Sequence, residues 1–212
     1  QELKNKKMAT LNFSNVKKIL VIMMGGIGDM IFLTPALRAL RKAYPSYIIS
    51  FLLGPHGAEK VIEGSDLIDK EIIVEPEKYK GMLGETKLIR KPRKENFDLS
   101  LVSTGSNPIK NGLLCTLAGI RNRLGENIGG KGFFYNLKVP FDDDRHEIEG
   151  NISLIQKLGI EVSDRKLYIF QSEEDKNFAR SFFTLHNLEG KFTVGIHPGS
   201  GIQQARFRRW PK

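Results

Sequence analysis

Continuous apolar runs alternate along this chain with segments of helical period. Residues 18–24 (KILVIMM) form an unbroken apolar run, as expected of a strand buried on both faces of a parallel sheet. Further strands are predicted at 47–53 (YIISFLL), 70–75 (KEIIVE) and 97–104 (FDLSLVST), with short ones at 121–126 and 133–140 around a glycine-rich loop. Between them, Leu33, Leu37 and Leu40 recur at helical spacing in residues 30–45, with Arg38, Arg41 and Lys42 on the other face. Pro35 either kinks that helix or opens a fresh turn capped by Thr34. Residues 58–64 read as a short helix ending at glycine, and 107–120 as a helix ending near Gly119. Ile148, Ile152, Ile155 and Leu158 line one face of a helix over 144–160. Residues 166–170 read as extended. Ser172 caps a helix over 172–188 that has an acidic first turn.

Repeated strand–helix alternation gives the fold class: α/β, a Rossmann-like parallel sheet flanked by helices. Ligands of such sheets bind beyond the carboxyl ends of the strands. Those ends fall at residues 25–29, 54–57, 103–107 and 197–201. Residues 191–201 (KFTVGIHPGSG) read as a strand entering another glycine turn. A lone strand there would leave its backbone unpaired. The chain is therefore expected to be a fragment, unless this strand joins the edge of the first sheet.

Composition narrows the classes. Of 212 residues, 40% are hydrophobic and 27% charged, ordinary for a soluble globular protein. No apolar run approaches the roughly 20 residues that span a bilayer, and the polar, basic N-terminus has no signal-peptide core. Cys115 is the single cysteine, which excludes an intrachain disulfide and fits a cytoplasmic location. With four scattered histidines no metal-ligand cluster is visible, so no metal is expected. The formal charge of +9 favours anionic partners, or simply keeps the protein soluble. It concentrates in residues 77–94, where seven Lys/Arg (Lys78, Lys80, Lys87, Arg90, Lys91, Arg93 and Lys94) accompany two Glu. That segment reads as a surface lid or loop with some helix. Its single aromatic residue, Tyr79, argues against a nucleic-acid stacking platform.

The loop after the first strand, Gly25-Gly26-Ile27-Gly28-Asp29, resembles a phosphate loop but fails both nucleotide patterns. The dinucleotide fingerprint requires a glycine where Ile31 stands, and the Walker pattern a lysine where Asp29 stands. What remains is a tight turn open to a ligand, with a carboxylate in the first turn of the next helix. The positive helix end stabilises that carboxylate as an ion. Asp29 then either takes a proton from an attacking hydroxyl or only compensates the helix dipole.

Residues 18–52, with Gly-Asp, Thr-Pro and Tyr-Pro in this order, resemble the opening of glycosyltransferase family 9, the ADP-heptose:lipopolysaccharide heptosyltransferases. The resemblance continues at FDLSLV, LCTLAGIRNRLG and the His-x-x-x-x-Asn helix of HEIEGNISLIQKLGI, and ends at VGIHPGSG and RFRRWP, spanning essentially residues 17–212. It implies the N-terminal half of a GT-B enzyme, in which two Rossmann-like domains face each other. It also implies inverting, metal-independent transfer of a heptose or related sugar from an ADP-sugar to a lipopolysaccharide-core or other glycan hydroxyl. No cofactor is implied beyond the ADP-sugar substrate, and no nucleic-acid partner.

On this resemblance Asp29 inherits the role of catalytic base. Gly26, Gly28, His56, His146 and Asn151 become acceptor-binding candidates, His146 alternatively capping its helix and His56 shaping a turn. Gly199, Ser200, Gly201 and Arg208 become candidates for the donor phosphates. Arg208 stands where the family has lysine, keeping the charge with a different geometry. The implied layout is a flexible basic tail over 1–16, an acceptor-binding domain over 17–170, and a linker helix with the truncated start of a nucleotide-sugar domain over 171–212. Such a fragment would be inactive alone. The enzyme would be cytoplasmic, with its basic segment suited to the inner membrane face. Two other readings stay open: a non-catalytic domain that binds an anionic glycan, and an NAD-dependent Rossmann oxidoreductase.

Overall fold

The computed structural model describes residues 16–54, 57–79, 81–197 and 199. The chain divides into two compact units at the junction of Phe170 and Gln171.

In the first unit six strands form one parallel sheet: β1 (Lys18–Met23), β2 (Ile48–Leu53), β3 (Lys70–Ile73), β4 (Leu99–Val102), β5 (Asn122–Asn127) and β6 (Leu137–Pro140). Their order across the sheet is β3-β2-β1-β4-β5-β6, and every neighbouring pair is parallel. This is the doubly wound order, with its switch point between β1 and β4. The expected fold class is the one observed. β1 is central because it is apolar on both faces. Ile19, Val21 and Met23 enter one core with α1 (Ile27–Ala43) and α4 (Glu147–Lys157). Leu20 and Ile22 enter the other, packed by α2 (Gly81–Glu95) and α3 (Pro108–Leu117). Val16, assigned to the tail by sequence, is buried in the first core, while residues 1–15 lie outside the described residues.

Two elements differ from expectation. α1 begins at Ile27 rather than residue 30, with Gly26 as its N-cap, and continues through Pro35 without opening a fresh turn. Pro35 cannot donate to the carbonyl of Ile31, and the Thr34 hydroxyl donates to it instead, at 2.7 Å. The basic segment is no loop: residues Gly81–Glu95 are helical, because Leu88 and Ile89 pack against the core and leave the cations on the outer face. As expected, a glycine-rich loop and no α-helix joins β5 to β6; buried Tyr135 fills the space beside Gly125.

Residues after α4 run extended along α1. Tyr168 donates its N–H to Thr34 Oγ1 at 3.0 Å, and the Arg38 guanidinium lies over the Tyr168 ring.

The second unit carries α5 (Glu173–Leu185). As the sequence predicts, Ser172 caps it: Ser172 Oγ accepts from the Asp175 N–H at 3.1 Å, and Asp175 Oδ2 accepts from the Ser172 N–H at 2.8 Å. The strand expected over 191–201 is absent from described residues 191–197, and the sheet of the first unit does not include it. Its apolar residues Phe192, Val194 and Ile196 are exposed, for strand propensity alone forms no ladder without a partner. Among the described residues no helix is long and apolar enough to cross a membrane.

Candidate active site

The glycine turn leaves β1 at the switch point of the sheet. Asp29 is the third residue of α1, and its Oδ2 accepts the N–H of the cap residue Gly26 at 2.5 Å. This is half of a capping box, since Gly26 has no side chain to complete it. The carboxylate is half-buried and fixed at the positive end of a seventeen-residue helix. Gly25 provides the room: a Cβ there would lie 2.1 Å from Asp29 Oδ2. Gly28 faces open space, with nothing within 4 Å of an added Cβ. Of the glycines named from sequence, Gly26 therefore supplies an N–H and Gly28 leaves a bare surface, while Gly25 was missed. The GG dipeptide was the signal that could have found it.

The loop after β4 forms the other side of the switch point. Glu126, at the end of β5, is buried to 2% side-chain exposure and organises that loop. It accepts from Thr104 Oγ1 at 2.6 Å, from the Gly105 N–H at 3.1 Å and from the Arg145 guanidinium at 2.9 Å. The Thr104 N–H donates to Asn151 Oδ1 at 3.1 Å. Gly150 lets α4 come this close, because a Cβ there would meet Thr104 Oγ1 at 2.4 Å. Sequence reasoning missed Glu126; a lone acid closing a strand-like run was the available signal.

The N-terminus of α4 lies against α1. His146 is the N-cap residue, and its Nδ1 accepts the Ile148 N–H at 3.2 Å. Its exposed ring also meets Phe32 of α1 edge-on at 5.0 Å. Asn151 is buried, its Nδ2 reaching the Phe32 carbonyl at 3.5 Å. Asn151 thus ties α4 to α1 and to the β4 loop, shaping the wall of the site from behind. Glu147, the first residue of α4, was also missed by sequence. Its carboxyl pKa is raised, first by partial burial and then by the charge of Asp29 and a hydrogen bond with it.

His56, Ser200, Gly201 and Arg208 lie outside the described residues, as does Lys80. Gly199 is described and exposed, in the second unit. At the opposite, amino edge of the sheet a cavity of about 830 Å³ lies between the last turns of α1 and the segment that follows α4. Two of its cations are already paired, Arg38 with Asp164 and Arg41 with Asp69, each at 2.7 Å. It lies away from the switch point and takes no part in the Asp29 site.

A half-buried carboxylate thus stands, as a candidate proton acceptor, at the switch point of a doubly wound, Rossmann-like sheet. Among solved structures the chain is similar to the glycosyl transferase family 9 protein from Veillonella parvula DSM 2008, with 25% identity and a TM-score of 0.69 over 92% of this chain and 56% of that one. It also shares the fold of E. coli ADP-heptose lps heptosyltransferase II, at 23% identity and a TM-score of 0.59, covering 79% of this chain and 50% of that one. E. coli heptosyltransferase WaaC with ADP gives 18% identity and a TM-score of 0.57, covering 71% and 50%. The chain thus spans about half the length of the solved structures it matches. No family model and no curated protein matches it. Its structural resemblance is to glycosyltransferase family 9, the family its sequence resembles.

Proposed function

We propose that this chain is the acceptor-side, N-terminal domain of a GT-B glycosyltransferase of the heptosyltransferase type, with Asp29 as the catalytic base. The observation that carries the reading is the position of Asp29. Its carboxylate is pinned by the Gly26 N–H at the carboxyl edge of the sheet, where ligands of this fold bind. A fixed, ionised carboxylate at that edge serves an inverting displacement. The acceptor hydroxyl attacks the anomeric carbon and gives its proton to Asp29, while the bond to the diphosphate breaks.

Gly26, bare Gly28 and the exposed His146 ring face the acceptor in this reading, and buried Asn151 holds their frame. The donor is an ADP-sugar, its diphosphate held by Gly199, Ser200, Gly201 and Arg208. The acceptor is a lipopolysaccharide-core or other anionic glycan. The cationic outer face of α2, with Lys87, Arg90, Lys91 and Lys94, suits an anionic acceptor or the inner membrane face. The chemistry is metal-independent, and the enzyme cytoplasmic.

The test uses the natural full-length protein with a panel of ADP-sugars and glycan acceptors. Turnover is expected to persist in EDTA. In Asp29→Asn it should fall at least a hundredfold, roughly the contribution of a general base, with an unchanged circular dichroism spectrum. Asparagine still accepts the Gly26 N–H, so the fold is kept. Full activity in that variant would remove Asp29 from its role. Glycan binding without turnover on any nucleotide sugar would favour the non-catalytic domain instead.

A further inference from the structure

The two sides of the first unit differ in charge. From Leu99 to Pro140 the chain holds five Lys/Arg and a single acid, Glu126, which is buried and paired with Arg145. α2 adds five more cations against Glu85 and Glu95, and Glu95 is paired with Lys70. α2 and α3 pack side by side over the core of Leu20 and Ile22. The α1 and α4 side carries both signs, with Arg38 paired to Asp164, Arg41 to Asp69 and Arg165 to Glu149. Among the described residues, Lys87, Arg90 and Lys94 of α2 and Lys110 of α3 are exposed and form no ion pair.

The cationic side also exposes apolar side chains. Ile109, Leu113 and Leu117 recur every fourth residue along α3 and are 40%, 39% and 47% exposed. That spacing places them in one stripe, while Leu114 and Cys115 turn to the core. Gly112 brings the β5–β6 loop against the helix, since a Cβ there would meet Phe134 Cβ at 2.7 Å. The ring of Phe133 lies 4.5 Å from that of Phe134, so Phe133 stands beside α3, 60% exposed. An apolar stripe bordered by unpaired cations marks a binding surface. A soluble anionic glycan offers nothing to the leucines. A second copy of the chain would cover them but set cations against cations. A bilayer with anionic headgroups matches both features, taking apolar tips at the headgroup boundary and cations at the phosphates.

We propose that the side of the molecule formed by α2 and α3 docks on an anionic lipid surface. Of the two anions that suit the α2 cations, this selects the membrane, and it does not depend on the role of Asp29. Ile109, Leu113, Leu117 and Phe133 enter the headgroup layer, while the cations of α2 and Lys110 meet the lipid phosphates. α3 starts at the carboxyl edge of the sheet, directly after the β4 loop, so the docked surface borders the switch point. On the transferase reading, an acceptor anchored in the same leaflet reaches Asp29 without leaving the membrane.

The test is co-sedimentation of the natural full-length protein with vesicles, which needs no substrate. The protein is expected to bind vesicles of phosphatidylcholine with about one third phosphatidylglycerol, and to leave vesicles of phosphatidylcholine alone in suspension unbound. Raising the salt from about 0.1 to about 0.5 M should weaken binding at least tenfold. Lys87→Gln, Arg90→Gln and Lys94→Gln together should cost about a hundredfold, at about fivefold per cation. Leu113→Gln with Leu117→Gln should cost about tenfold. All five side chains are exposed, so thermal unfolding of both variants should match the natural protein. No binding to the anionic vesicles, or equal binding by the cation variant, overturns the proposal. Binding indifferent to the leucine substitutions overturns docking through α3. Dimerisation in sedimentation velocity that those substitutions abolish assigns the stripe to a second copy, and overturns it too. Turnover plays no part, so an Asp29→Asn variant with full activity removes the base and leaves the vesicle result to decide the docking by itself.

Discussion

A methyl group at Gly25 would occupy the space that Asp29 Oδ2 now fills. The backbone at Gly25 is tied into the turn, so the carboxylate is the part that gives way. On the proposed role of Asp29, Gly25→Ala is therefore expected to lower turnover by ten- to a hundredfold, the usual cost of a displaced catalytic group. Its unfolding free energy should change by about 1 kcal/mol or less, because only a partly exposed side chain moves. Paired kinetics and chemical denaturation check this; a large stability loss with normal turnover would contradict it. The same turn shows what single residues disclose. Asp29 stood out in the sequence because it breaks both phosphate patterns at their most informative position. Glu126 did not, because it acts through neighbours that only folding brings near. Glu126 meets Thr104 and Arg145 across wide gaps in sequence.

At the scale of elements, α1 carries Asp29 and has to survive a proline. Thr34 repairs it twice, donating to the Ile31 carbonyl and accepting the N–H of Tyr168 from the segment that straps the helix down. Thr34→Val keeps the shape and removes both bonds inside a fully buried site, leaving a carbonyl and an N–H unpaired. The expected loss is about 2–3 kcal/mol, and Thr34→Ser should recover most of it. Urea titrations of the two variants measure the difference. The strands were readable because continuous apolar runs such as 18–24 can only be buried on both faces. α2 was not, since its cations outnumber the two apolar residues, Leu88 and Ile89, that dock it. The strand expected over 191–201 failed for the opposite reason: its pattern was right, but pairing is a property of two segments.

For the molecule as a whole, the core of the α2 and α3 face contains two acids that are normally silent. Burial pushes the Cys115 thiol up from 9.0 to about 11, and burial likewise pushes the Tyr135 phenol up, with Cys115 adding to it. Each holds its proton more tightly in the folded chain than in the unfolded one. Their contribution to stability is thus complete below pH 9 and is lost as pH rises. For Cys115 the loss is about 3 kcal/mol by the time pH passes its folded value. Thermal unfolding between pH 8 and 11 should show the decline, and Cys115→Ala should flatten its first part. The doubly wound architecture was legible from alternation alone, because each strand–helix unit has one way to return to a parallel sheet. The glycine-rich loop between β5 and β6 was legible too, but not the place Tyr135 finds beside Gly125.

The central place of β1 also has a meaning in time. During synthesis β1 can pair with β2 as soon as α1 and residues 48–53 have emerged, since Lys18 aligns with Ile48. Its other edge waits for β4, whose register begins at Leu99, and for Asp98, which accepts the Lys18 N–H from 80 residues away. Until then a strand apolar from Ile19 to Met23 stands with one side open on the ribosome. That is the interval in which a nascent chain of this fold is most exposed to misassembly and to chaperone capture.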